Sequence, residues 1–161
     1  MQNYFEWILS TALSSWVLGN EWVWPIAETF HFFGLSLLIG SLLLIDMRMI
    51  GWFKQINIRA VHALLPLVFV GFIINMMTGV LFYFGDPERY TVNIAFQMKM
   101  LLIILAGLNA LLYYWKMDSV MHNCGPHDDT PALTKVVGAA SLIFWFGVLM
   151  LGRLIPYLGT G

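Results

Sequence analysis

Charged side chains are scarce in this sequence of 161 residues. Asp, Glu, Lys and Arg together make up 11% of the chain, against roughly 25% in an average soluble protein. Hydrophobic residues make up 60%, and a soluble domain of this length could not bury so much apolar surface. The formal net charge is −1 and Lys and Arg form no cluster, which excludes the basic surface of a nucleic-acid-binding protein.

Cysteine is nearly absent as well. Cys124 is the single one, so the sequence excludes an internal disulfide framework. The first residues, Met1 to Tyr4, lack the positive charge that opens a signal peptide. We therefore expect the mature protein to keep its start.

Long apolar runs are what the sequence has instead. A bilayer core of ~30 Å requires about 20 apolar residues in a helix. Four segments meet this requirement, and they lie at about residues 24–45, 61–84, 94–115 and 136–158. Residues 4–18 carry apolar side chains at helical spacing, which predicts an amphipathic helix in the membrane interface. The predicted fold is a single all-α domain over residues 1–161, an integral membrane four-helix bundle preceded by this interfacial helix.

Basic residues are distributed unevenly over the loops. Three lie between the first and second spans and two between the third and fourth, whereas the remaining loop has only Arg89. The positive-inside rule then predicts that the first and third connections are cytoplasmic. Both termini are therefore expected outside.

Several polar residues fall within the predicted spans. The ionisable ones are Glu28, His31, Lys99 and Arg153. Ionisable groups at membrane depth are costly, so each is a candidate for function. At 1.5 Å per residue, His31, Thr78 and Lys99 lie roughly 10 Å below the outer surface. Asn75 shares a helix face with Thr78, as Glu28 does with His31. We expect one inward-facing site that contains these six residues.

His31 is the candidate metal ligand of this layer. A neutral imidazole suits iron or zinc, and Glu28, one turn away, could orient it. The alternative is an imidazole that only stabilises helix packing. Lys99 and Arg153 bring two cations against one carboxylate, which indicates an anionic guest such as the propionates of a porphyrin. The alternative is that both side chains reach the outer headgroups.

Other histidines are set apart from this layer. His62 lies over 20 Å lower on the second span and faces elsewhere, which argues against one haem held by His31 and His62. A second site with Asn109 and Tyr113 stays open, although a cofactor-free interfacial histidine is favoured. The third loop holds metal-compatible side chains at His122, Cys124, His127, Asp128 and Asp129. Their spacing matches no zinc pattern, and a solvated loop is favoured there.

Short motifs resemble those of an uncharacterised bacterial family of four-helix membrane proteins of about this length. The first motif is the run Trp24-Pro25-x-x-Glu28-x-x-His31-x-x-Gly34. Further ones are Thr78-Gly79, Phe96-x-x-Lys99 and Gly152-Arg153-x-x-x-Tyr157. This likeness implies a multi-pass protein of the bacterial inner (cytoplasmic) membrane, and it implies no function.

The chain is also distantly similar to the HemJ-type protoporphyrinogen oxidases and, more loosely, to copper-resistance D membrane domains. The similarity is carried by four helices, His31 on the first, Pro66 and Thr78-Gly79 on the second, and Lys99 early in the third. HemJ-type proteins bind haem b, so the resemblance implies His31 as an axial ligand and Lys99 as an essential residue. Glu28, Asn75 and Arg153 match no part of that pattern, and porphyrinogen oxidation is therefore not implied.

Three hypotheses follow from the residues and the resemblance. The leading one is a membrane b-type haemoprotein for electron transfer or a haem-dependent oxidoreductase, with a quinone or a redox protein as its partner. The second is a transporter of a small solute, anion or metal, and the third is a cofactor-free structural subunit of a membrane complex. Each of them leaves open a homo-oligomer in the lipid bilayer.

Overall fold

Every regular element of the structure is a helix within the residues that the computed structural model describes, 2–116, 124, 125 and 127–158. We number the helices α1 (Gln2–Leu9), α2 (Ala12–Gly19), α3 (Val23–Ile50), α4 (Ile58–His62), α5 (Leu65–Gly85), α6 (Pro87–Val92), α7 (Ile94–Lys116) and α8 (Ala132–Leu158). This confirms the predicted all-α fold.

Four helical segments are long and apolar enough to cross a membrane. They are Val23–Ile50, Ile58–Gly85, Ile94–Lys116 and Ala132–Leu158. Large apolar side chains lie exposed on them, including Phe69, Ile104 and Ile143 at more than 60% exposure. Such a surface is stable against lipid and not against water. The protein is a multi-pass membrane protein.

The second span is interrupted once, between α4 and α5. Pro66 has no amide hydrogen to donate to the carbonyl one turn earlier, so regular helix gives way at Ala63 and Leu64. Leu64 bonds to the carbonyl of Val61 instead, at 3.0 Å, and α5 then begins with the proline in its first turn.

Close helix packing occurs on three sides of the bundle. Helix α3 packs against α5 and α8, and α8 packs against α7. Between α5 and α7 the contact is made by longer side chains, such as the Tyr83 and Phe96 rings, stacked with their centroids 6.3 Å apart. The side between α5 and α7 is therefore the most loosely packed of the four.

Two glycines bring α3 and α5 together. A Cβ atom at Gly71 would lie 2.6 Å from the carbonyl oxygen of Gly34 and 2.7 Å from the backbone nitrogen of Leu38. A Cβ atom at Gly34 would lie 2.7 Å from Nδ2 of Asn75. Only hydrogen fits at these positions, so the backbones touch directly.

The N-terminal segment forms two helices where the sequence predicts one over residues 4–18. Thr11 separates them because its hydroxyl donates to the carbonyl of Ile8 at 2.7 Å and accepts from the amide of Ser14 at 3.3 Å, which caps α2. Ser14 is polar and nevertheless fully buried, and its hydroxyl donates to the carbonyl of Phe84 at 2.8 Å. These helices thus pack against the C-terminal end of α5.

Helix α3 continues one turn beyond the predicted span, and α8 begins one turn before its predicted start. Gly51 ends α3 with a positive φ of 105°, and the amides of Gly51 and Trp52 bond to the carbonyls of Arg48 and Met47. Because two backbone carbonyls accept hydrogen bonds from Arg48 inside the protein, the helix does not have to end before it.

Hydrogen bonds connect the loops at the C-terminal end of α3. Arg48 donates from Nε to the carbonyl of Ile56 at 2.9 Å and from Nη2 to that of Gly125 at 3.3 Å. Thr130 donates to the carbonyl of Met49 at 2.7 Å. A single helix terminus therefore organises both the α3–α4 and the α7–α8 connections.

Candidate cofactor site

The site starts from the α3–α5 contact. His31 lies one turn before Gly34 on α3, and Thr78 lies two turns after Gly71 on the antiparallel helix α5. The close approach of the two backbones brings Nδ1 of His31 within 2.7 Å of Oγ1 of Thr78. Thr78 is buried and His31 is half-buried.

The direction of this hydrogen bond follows from the second partner of Thr78. Its hydroxyl oxygen also lies 2.8 Å from the carbonyl oxygen of Ile74, one turn earlier on α5. A carbonyl only accepts, so the single hydroxyl proton is directed to Ile74. Thr78 therefore accepts from Nδ1–H of His31, and a neutral imidazole then carries an unprotonated Nε2.

Lys99 contributes the charge of the site. It lies on the first turns of α7, half-buried, and it is the charged group that acts electrostatically on His31. Its Nζ lies 3.4 Å from where a Cβ of Gly152 would be, so the glycine leaves room for the ammonium beside α8. Within the described part of the chain, no acceptor or carboxylate is bonded to this ammonium.

Two aromatic rings pack next to the imidazole of His31. The ring of Phe82 meets that of His31 edge-on at 5.4 Å between centroids, and the ring of Trp24 lies 5.3 Å from that of Phe82. Gly85 makes room for Trp24, because a Cβ there would lie 2.5 Å from the indole. These rings pack over one side of the imidazole.

Residues from three helices thus contribute to this site: His31 and Thr78 are hydrogen-bonded to each other, and Lys99 lies within electrostatic range of His31. No protein-family model, curated protein or solved structure matches this chain. Function is therefore inferred from these residues themselves.

Glu28 and Arg153, predicted in the same site, are placed elsewhere by the structure. Glu28 is exposed and accepts from Nε1 of Trp24 at 3.2 Å, so Thr78 and not Glu28 holds the imidazole. Arg153 is exposed, with its guanidinium 5.6 Å from the ring centroid of Tyr157. Both side chains are exposed, and neither is bonded to His31.

Asn75 lies next to the site and is already engaged. Its amide donates to the carbonyl of Gly71 at 2.9 Å, and its Nδ2 packs against Gly34. This side chain therefore stabilises the helix contact that positions His31.

The second histidine belongs to the other end of the bundle, as predicted. His62 on α4 is hydrogen-bonded to the hydroxyl of Tyr113 on α7, with the rings edge-on. Asn109 donates to the carbonyl of Val137 and does not join them. His122 lies outside the described residues. In the rest of the α7–α8 loop, Asp129 pairs with Lys54 and Lys135 at 3.1 and 2.9 Å, and His127 is exposed.

Two buried ionisable residues escaped the sequence analysis. Asp46 and Arg48 are 2% and 0% exposed, although their position suggested the end of a span. The apolar pattern that continues through Met47, Met49 and Ile50 is the signal that could have placed them inside the helix.

Proposed function

We propose that this chain is a membrane-embedded b-type haem-binding protein with a redox or electron-transfer role. The observation that carries the proposal is the hydrogen bond from Nδ1 of His31 to Thr78, because it leaves a free lone pair on Nε2 of the imidazole. An imidazole whose other nitrogen is fixed by a hydrogen bond is the usual protein ligand of a metal.

The donor set favours a metal that brings its own equatorial ligands. Within the described ranges, no three His, Cys, Asp or Glu side chains lie close enough together to hold an ion. A porphyrin iron requires only one imidazole from the protein. The site therefore fits haem through His31 alone.

Lys99 supports an anionic guest. A buried ammonium without a counter-ion is costly, and a carboxylate next to it recovers much of that cost. Haem carries two propionates, and Lys99 is the cation beside His31 that could pair with one of them. The arginine that we expected in this role, Arg153, is turned outward.

The loosely packed side of the bundle supports access by a flat ligand. Helices α5 and α7 make no close backbone contact comparable to the other neighbouring pairs in the described structure. The cavity that the structure shows elsewhere, of about 350 Å³ between α1 and α6, is lined by Phe5 and Glu6 and lies away from His31. A ligand of His31 would therefore enter from the bilayer between α5 and α7.

The chemistry of the bound group would be reversible one-electron transfer at its iron. The residues of the chain do the remaining work. Thr78 holds the imidazole in one tautomer and orientation, Lys99 offsets the charge of the ligand, and Phe82 with Trp24 limits the access of water.

The same proposal includes the orientation of the protein. Lys54 and Lys135 lie at the end of the bundle opposite to the His31 site, together with Arg48 and Arg59. This distribution supports a cytoplasmic location of that end. In a bacterial inner membrane, the His31 site would then lie toward the outer surface, with both termini outside.

The test is the visible spectrum of the purified protein. After haem-supplemented expression, we expect a Soret band and sharpened α and β bands on reduction with dithionite. The His31→Ala variant should lose them, whereas the His62→Asn variant should retain them because His62 lies at the other end of the bundle. Wild type that is folded and shows no haem band would overturn the proposal and leave solute transport or a subunit role.

A further inference from the structure

Two ionisable side chains in the last turns of α3 are enclosed by the protein. Asp46 and Arg48 are 2% and 0% exposed. Oδ2 of Asp46 and Nη1 of Arg48 have no hydrogen-bond partner among the described residues. Buried polar atoms are nearly always paired, so each of these two requires an explanation.

The environment of Arg48 accounts for its charge. Its guanidinium donates to the carbonyls of Ile56 and Gly125, and it lies in the last turn of α3. Carbonyl oxygens at a helix C-terminus favour a cation. The unpaired Nη1 then calls for a bound water at this end of the helix.

The environment of Asp46 is opposite in kind. A carboxylate near a helix C-terminus is disfavoured, and no charged group acts on this one. The basic residues of the inner end are engaged elsewhere: Lys54 and Lys135 with Asp129, and Arg48 with backbone carbonyls. The hydroxyl of Ser141 on α8 is hydrogen-bonded to the carboxyl of Asp46. An ionised carboxylate without a cation is far too costly at this burial, whereas the neutral acid is tolerated.

We propose that Asp46 is a proton-exchange site, a neutral carboxylic acid that takes up and releases a proton on the inner side of the membrane. The carboxyl lies four residues before the end of α3, about 6 Å along the helix axis. Gln55, in the connection that follows α3, is exposed, so the carboxyl lies near the inner surface of the protein. Packing alone would be served by an amide or a hydroxyl, which need no proton. Asp46 lies far from His31 on α3, and its role does not depend on haem.

The experiment is infrared spectroscopy of the detergent-solubilised protein at neutral pH, in H₂O and then in D₂O. We expect a carboxylic acid C=O band in the wild type that is lost completely in Asp46→Asn. The matched control is Asp86→Asn, which should retain the band because Asp86 lies at the outer end beside Arg89, at 3.7 Å. Ser141→Ala should retain the band and move it to higher frequency, since one hydrogen bond is lost.

The response of the carboxylic acid band to D₂O and to pH tests proton exchange at Asp46. A band that shifts on transfer to D₂O and disappears as the pH is raised supports proton exchange. The absence of a carboxylic acid band from folded wild type would show that Asp46 is ionised and would overturn the proposal. A band that belongs to Asp46 but stays unshifted in D₂O would show a closed structural acid, which overturns it as well.

Discussion

The position of one hydroxyl proton gives His31 its chemical character. Thr78 bonds both to His31 and to the carbonyl of Ile74, and only one of these partners can receive the proton. The carbonyl cannot donate, so both contacts of the hydroxyl are satisfied together only when Nδ1–H of His31 donates to Oγ1 of Thr78. A residue that binds no ligand itself thus determines which nitrogen is available for one.

The first prediction removes this acceptor. Thr78→Val keeps the shape of the side chain but leaves Nδ1–H of His31 without a partner. We expect haem affinity to fall roughly 10- to 100-fold, the usual effect of losing the hydrogen-bond partner of a metal-binding histidine. Haem titration followed at the Soret band measures it. Thr78→Ser is the control and should bind as the wild type does; equal affinity of the valine variant would contradict the role of Thr78.

The second prediction concerns Lys99. Lys99→Met keeps the length and apolar stem of the side chain and removes its charge. We expect haem to bind roughly 10- to 100-fold more weakly, because a hydrogen bond to a charged group contributes about 1.5–3 kcal/mol. Haem dimethyl ester, which has no propionate charge, should bind wild type and variant alike. A loss that is equally large for the ester would show that Lys99 acts by packing and not by charge.

Depth in the membrane could be predicted from the sequence, while side-chain direction could not. His31, Thr78 and Lys99 were expected in one layer; the structure joins His31 to Thr78 by a hydrogen bond and has Lys99 within electrostatic range of His31. Glu28 is in the same layer and one turn from His31, yet it turns to Trp24. Residues three apart on a helix differ by about 60° in direction, and whether both face inward depends on how the neighbouring helices pack.

At the scale of helices, the contact between α3 and α5 is the element that builds the site. Gly34 and Gly71 allow the two backbones to touch, and His31 and Thr78 lie just beyond this contact. The glycines were visible in the sequence as small residues near the site. Their mutual contact depends on the register of two helices, which a single sequence does not reveal.

The third prediction compares two glycines of the same helix. Gly71→Ala places a methyl group 2.6 Å from a backbone oxygen of α3, and we expect about 1–3 kcal/mol of destabilisation. Gly79→Ala meets nothing within 4 Å and should be neutral or stabilising by about 0.5–1 kcal/mol. Thermal unfolding in detergent measures both variants. If Gly71→Ala were as stable as Gly79→Ala, the close contact would be refuted.

Helix boundaries were predicted less well than helix identity. Charged residues were taken to end the first span, and α3 runs past them because backbone carbonyls of the protein accept from Nε and Nη2 of Arg48. The single helix predicted over residues 4–18 is divided at Thr11, whose capping hydrogen bonds compete with helix continuation. Both differences arise from local polar contacts that hydropathy does not register.

At the scale of the whole molecule, the ion pairs of Asp129 connect the two halves of the chain, near the end of α3 and the start of α8. The carboxylate joins Lys54, from the loop after α3, to Lys135, from the start of α8. Hydrogen bonds from Lys135 and from Lys54 lower the pKa of Asp129 from 3.8 to about 2. A lowered pKa in the folded state means that the stabilisation is present above pH 3.8 and is lost as the pH falls through about 2.

The fourth prediction follows from the lowered pKa of Asp129. The melting temperature of Asp129→Asn should lie slightly below that of the wild type at neutral pH, and the difference should vanish toward pH 2. The effect is small because the side chains are exposed, and molar salt should reduce it further at neutral pH. A difference that grows in acid would contradict this account.

The fifth prediction tests orientation in the membrane. In a Cys124→Ser background, Gln55→Cys and Glu88→Cys place single thiols on exposed positions at opposite ends of the bundle. A membrane-impermeant maleimide added to intact cells or spheroplasts should label the second variant and not the first. The reverse pattern would place both termini inside.

The hydrogen bond between Arg48 and Gly125 has a consequence for biosynthesis. Its two residues are 77 positions apart, so at ~5–20 residues per second the ribosome delivers the partner roughly 4 to 15 s after the arginine. During that interval the guanidinium of Arg48 lacks one of its two acceptors. The C-terminal end of α3 therefore reaches its final packing only after the connection between α7 and α8 has been synthesised.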